Sequence, residues 1–232
     1  MQQRRGPRRD SFGARRITLP RSRVLGGPSS RLGPLCYLSS VQYFVVQLVV
    51  ALRWSPRYSW SRNPISDLGN TSCANFHGRA VCSPLHGLMN LSFGVLGLTM
   101  IAGSMVLLFA LPRTRVRTLG FSFMSVAGSG VALVGLSPEN VAPSMHAIGA
   151  ALPFVVGNVG VVLLGWSLPL PAALRRFSVA AGVVALTALV FYATGHDLGL
   201  GEGGLERLVA YPQTVWLIVV GAWWASSPLR EW

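Results

Sequence analysis

The residues able to do chemistry are few and collect in a handful of places. The chain has four His (His77, His86, His146, His196) and seven acids (Asp10, Asp67, Glu139, Asp197, Glu202, Glu206, Glu231), so each can be weighed singly. Ser66 stands next to Asp67, a hydroxyl beside a carboxylate. His86, Asn90, Phe93 and Gly97 recur at helical spacing, as do His146, Gly149, Pro153, Gly157 and Gly160. Each His therefore heads a stripe of small or polar residues on one helix face. A histidine donates, accepts or titrates near neutrality, which suits it to hold a polar ligand. Ser66, Asp67, His86, Asn90, His146, His196, Glu206 and Arg207 form the candidate ligand-binding set. In it Ser66 and Asp67 present acceptors, His86 and His146 donate or titrate, and Glu206 and Arg207 pair to position a loop. The bland alternative is a set of ordinary interfacial polar residues, with Asn90 and Asn158 locking helices together by hydrogen bonds.

Metal and nucleophile chemistry have weaker signatures. There is no H-x-x-x-H, H-E-x-x-H or C-x-x-C, and the expectation is no cofactor. The alternative is zinc held by His86, His146, His196 and Asp67, with a coordination position left for water. Ser66 is a possible nucleophile, although Ser-Asp pairs are common. Three Cys make no disulfide framework. Cys73 and Cys82 share one polar loop and can pair if that loop meets an oxidising compartment; two free thiols are the other possibility.

These residues must be positioned by membrane helices. Apolar residues make up 51% of the 232-residue chain and charged residues 12%, about half the charged share of a soluble domain. Crossing a bilayer takes about 20 apolar helical residues. Six runs fit: Pro34–Trp54, Leu85–Leu111, Thr118–Leu136, His146–Leu168, Phe177–Gly195 and Tyr211–Pro228. The fold expected is an all-α polytopic bundle over residues 34–232, preceded by a disordered Arg-rich tail, residues 1–33. Small residues such as Gly128 with Ala132, or Ala181 with Ala185, should form the helix contacts. Trp54, Trp60, Trp166, Trp223 and Trp224 read as interfacial anchors. All 20 basic residues are Arg, and nine precede Gly33. With Arg113, Arg115, Arg117, Arg175, Arg176 and Arg230 they mark one side as cytoplasmic, leaving Arg53, Arg57, Arg62, Arg79 and Arg207 outside. Both termini are then cytoplasmic in a multi-pass cell-membrane protein, and the His and most acids face outward. The net charge of +13 suits anionic lipid; no aromatic-interleaved basic surface points to nucleic acid. The expected partners are membrane lipids, and the oligomeric state is open.

Four segments carry a resemblance. They are Ile65-Ser66-Asp67-Leu68-Gly69, LHGLMNLSFG at Leu85–Gly94, P-E-N…H-x-x-G-A…F…G-N at Pro138–Asn158, and GGLERLVAYPQTVW at Gly203–Trp216. In this order, across about residues 34–228, they resemble the prokaryotic six-helix membrane family of domain-of-unknown-function 998. The first loop is also distantly similar to DRAM, Sfk and FRAG-type membrane proteins. The resemblance implies six helices and lipid-linked roles, but no reaction. The Cys-bearing first loop and the long Arg-rich tail depart from the family pattern. The leading functional reading is a non-enzymatic or sensing protein that binds a lipid head group or small polar ligand in an outward-facing pocket. The alternative is an intramembrane metal-dependent lipid hydrolase, and the third a small transporter.

Overall fold

The computed structural model describes residues 29–226. The expected tail up to residue 28, and Arg230 and Glu231, lie outside the described residues. Among those described, six helical segments are long and apolar enough to cross a membrane. The first span is α1 (Ser29–Leu38) and α2 (Val41–Leu52), joined by a turn at Ser39–Ser40. It begins before the expected Pro34. The second and third are α3 (His86–Ala110) and α4 (Arg115–Leu136). The fourth is composite: α5 (Pro143–Ala151), a π-helical segment at Leu152–Gly157, then α6 (Asn158–Ser167). The fifth is α7 (Ala172–Ala193), and the sixth α8 (Gly201–Ser226).

The last boundary corrects the sequence expectation. Glu206 and Arg207, assigned above to a loop, lie on α8, which starts ten residues before Tyr211. Gly203 and Gly204 are helical there, and so is Pro212.

Lipid supplies no hydrophobic reason for helices to associate, so they pack through close backbone approach. A Cβ on Gly128 of α4 would lie 2.7 Å from the Gly97 carbonyl oxygen of α3. A Cβ on Gly149 of α5 would lie 2.9 Å from the Gly130 carbonyl oxygen of α4. Ala181 and Ala185 of α7 are buried. Two polar contacts join helices inside the bundle: Trp216 donates to Ser178 Oγ at 2.7 Å, and Tyr211 donates to Gln47 Oε1 at 2.7 Å. Trp60 and Trp166 are exposed as anchors would be, but Trp54 and Trp224 are buried in the bundle. Their ring area packs better against helix and loop than at a headgroup boundary.

The loops after the first, third and fifth spans share one end of the bundle. The first is the largest and contains a hairpin, β1 (Ala74–Phe76) and β2 (Arg79–Val81). His77 and Gly78 turn it with positive φ at both positions, the geometry of a two-residue type I′ turn. A Cys73–Cys82 disulfide closes its base.

Candidate functional site

The loop carrying Ser66 is fixed from several sides. A 3₁₀ turn, Ser66–Gly69, sits under the hairpin with Asp67, Leu68 and Gly69 buried. From α3, Asn90 Nδ2 donates to the Gly69 carbonyl at 2.9 Å; Ser83 Oγ donates to the Leu68 carbonyl at 2.7 Å. From α8, Arg207 Nη1 reaches the carbonyls of Trp60 (2.8 Å), Asn63 (2.9 Å) and Gly203 (2.6 Å), and Nη2 contacts Tyr58 Oη. The guanidinium also lies over the Trp60 ring, 5.0 Å from its centroid. Burial pushes the Tyr58 hydroxyl pKa up against the opposing pull of Arg207, so it stays a phenol that can donate. Asn140, between the third and fourth spans, accepts from Thr71 N at 3.1 Å and ties the two loops together.

Three side chains meet at the mouth of a recess between the helices. Ser66 Oγ lies 2.8 Å from His146 Nε2 and 3.3 Å from Glu206 Oε1. The other oxygen, Glu206 Oε2, accepts a short hydrogen bond from the Ile65 backbone N–H. His146 Nδ1 lies 2.8 Å from the Ser137 carbonyl, an acceptor only, so Nδ1 carries a proton. His146 and Glu206 are buried and Ser66 is half-buried. The recess runs inward past Phe93, Leu96 and Met100 of α3 and Val131 and Val134 of α4 to Gln213 and Thr214 of α8. The space open to water centres is about 50 Å³, room for a few waters.

The fourth span shapes this recess. Pro153 lacks an N–H and cannot continue the α ladder, and the helix widens to π geometry around it. Pro153 and Phe154 line the wall. Asn158 Nδ2 donates to the Phe154 carbonyl (3.0 Å) and to the Val209 carbonyl of α8 (3.2 Å), so the Phe154 carbonyl of the widened turn is bonded, while Asn158 Oδ1 is buried without a partner.

The other candidates go elsewhere. Asp67 turns its Oδ2 to Asn63 Nδ2 (3.1 Å) and Arg79 Nε (3.3 Å), and Arg79 bridges on to Glu202. Partial burial acts to lower the Arg79 pKa, but Asp67 and Glu202 outweigh it and hold the guanidinium above its usual range. Arg207 does not pair with Glu206; neighbours on a helix point apart, and its bonds go to the loop. His86 Nδ1 rests 2.9 Å from the Ser83 carbonyl, and exposed His196 contacts Thr194 Oγ1 at 3.1 Å. The residues of the zinc alternative, His86, His146, His196 and Asp67, thus have separate partners. Among the described residues no three of His, Cys, Asp and Glu are grouped to hold a metal ion. Gln213, Thr214 and Tyr43 also line the recess and were not among the expected residues; Gln213 and Thr214 both fall about two turns below Glu206 on α8, a spacing that was available.

No curated protein and no solved structure matches the chain. One family model does, over residues 38–223, which takes in the second to fifth spans whole, most of the first and sixth, and Ser66, His146 and Glu206. The chain belongs to the family described as protein of unknown function, DUF998.

Proposed function

We propose that this membrane protein binds a small amphiphile, with the polar head at Ser66, His146 and Glu206 and the first carbons of its apolar part entering the recess beneath. One observation carries the reading: three convergent polar side chains sit at the mouth of a cavity whose walls are otherwise mostly apolar. That is the general make-up of a ligand site, with few polar groups for orientation and apolar walls for affinity. The walls come from five of the six spans, so a bound molecule touches most of the bundle. The Arg distribution supports an arrangement in which the site end faces outward and both termini face the cytoplasm. Amphiphiles of the facing leaflet then reach the mouth directly.

The test is native mass spectrometry of detergent-purified protein, with a lysophospholipid and a fatty acid added in turn. A one-to-one adduct is expected with at least one of them. Its affinity should fall about fivefold or more in Ser66→Ala and His146→Ala, since each removes a hydrogen-bonding group worth about 1 kcal/mol or more. Equal binding by the native chain and both variants would place any ligand elsewhere.

A further inference from the structure

The hydrogen-bond bookkeeping at Ser66 leads beyond holding a ligand. The hydroxyl has one proton and two acceptors within reach, His146 Nε2 at 2.8 Å and Glu206 Oε1 at 3.3 Å. His146 Nδ1 keeps its own proton on the Ser137 carbonyl. A neutral imidazole therefore leaves Nε2 bare and facing the Ser66 hydroxyl. Two arrangements satisfy every contact. In one, Ser66 donates to neutral His146 and a protonated Glu206 donates to Ser66. In the other, an imidazolium donates to Ser66, and Ser66 donates to the Glu206 carboxylate. They contain the same number of protons and differ only by a shift of two protons through the serine oxygen. A nucleophile beside a base, with that base oriented by a third group, is the arrangement that activates serine for covalent catalysis.

We infer that Ser66 is a nucleophile for acyl esters, with His146 as general base and Glu206 adjusting the charge on the serine oxygen; this rests on the amphiphile reading, because the recess supplies the substrate. In the neutral arrangement Ser66 Oγ attacks the ester carbonyl carbon and its proton passes to His146 Nε2. The imidazolium returns that proton to the departing alkoxide as the ester C–O bond breaks, leaving an acyl-Ser66. Water then attacks the acyl carbon, gives a proton to Nε2, and Ser66 leaves with that proton. The net change is ester plus water to carboxylic acid plus alcohol. The geometry favours an ester whose acyl chain is apolar: Phe93, Leu96, Met100 and Val131 lie below the serine, while the loop end above it is polar. Asp67 does not touch the reacting atoms. Held by Asn63 and Arg79, it fixes the turn that aims Ser66, and is a positioning residue.

The experiment exposes full-length protein in nanodiscs to an alkyl fluorophosphonate and maps the adduct by peptide mass spectrometry. In parallel it follows hydrolysis of p-nitrophenyl octanoate. Expected are one adduct on the Ser66 peptide, none in Ser66→Ala, and labelling and hydrolysis at least about 100-fold slower in His146→Gln, the size of a lost general base. Asp67→Asn should slow both and be rescued in part by lower temperature, as a loosened turn would be. Absence of an adduct at Ser66 in protein that still binds lysophospholipid or fatty acid overturns the nucleophile and leaves the binding reading standing. Absence of both overturns the two together. Ester turnover unchanged in Ser66→Ala likewise overturns the nucleophile.

Discussion

Glu206 is the residue on which the site depends most. One carboxylate oxygen accepts from the Ile65 N–H and the other reaches the Ser66 hydroxyl, so a single side chain holds the loop at two points. Glu206→Ala leaves a buried backbone donor without a partner, which costs about 1–3 kcal/mol. A lower melting temperature in detergent is expected, with Glu206→Gln nearer the native value because its amide oxygen can still accept from Ile65. Glu139 behaves differently. Its pKa is raised above 4.5 by burial and by the charge of Asp67, with His77 and Arg79 opposing, and its Oε2 is buried without a hydrogen-bond partner. The folded state therefore holds this proton more tightly than the unfolded state does. The stabilisation is present at acid pH and fades as pH rises through and above the usual glutamate range. Glu139→Gln should flatten that decline, seen as a melting temperature less sensitive to pH above the usual glutamate range. Of the site itself, Ser66, His146 and Glu206 were all legible from the sequence as candidates. Their selection from a wider set was not. His86 heads a stripe as persuasive as that of His146, yet a local carbonyl of Ser83 satisfies it. Which acceptor a histidine finds depends on the loop above it, and no periodicity encodes that.

Among the elements, the fourth span departs most from sequence expectation. A single apolar run was visible, but the π segment at Leu152–Gly157 was not, because Pro153 alone does not say whether a helix kinks, breaks or widens. The start of α8 was missed for a related reason. Gly, Glu and Arg argue for a loop in lipid-span terms, but here the loop's carbonyls accept from Arg207 Nη1 and the Ile65 N–H donates to the Glu206 carboxylate, so the helix extends into polar company. The α3–α4 seam, by contrast, was readable in Gly128 and Ala132. Gly128→Leu forces a side chain where a Cβ would already be 2.7 Å from a backbone oxygen. Overpacking of this kind costs about 1–3 kcal/mol or more, and the variant should melt earlier and aggregate in detergent. Unchanged melting would mean that the two helices are not in such close contact.

At the scale of the whole molecule, the six-span architecture was the most legible feature. Span length is set by bilayer thickness and needs no tertiary information. Orientation rests on Arg placement, and reporter fusions check it. A fusion at Pro112 or after Trp232 should read cytoplasmic and one at Gly201 external; an external reading at Trp232 would remove the both-ends-inside arrangement.

The bond from Glu206 to the Ile65 N–H joins residues 141 positions apart in the chain. Ribosomes add about 5–20 residues per second, so the Ser66 loop emerges roughly ten seconds or more before its last anchor exists. Throughout that interval Tyr58, Arg79 and the Ile65 N–H lack their α8 partners Arg207, Glu202 and Glu206. The site is therefore assembled last, by insertion of the sixth span. A chain released before residue 201 carries the serine and the histidine but not the part that holds them together, and quality-control proteases should see such a chain as unfinished at this loop rather than along its helices.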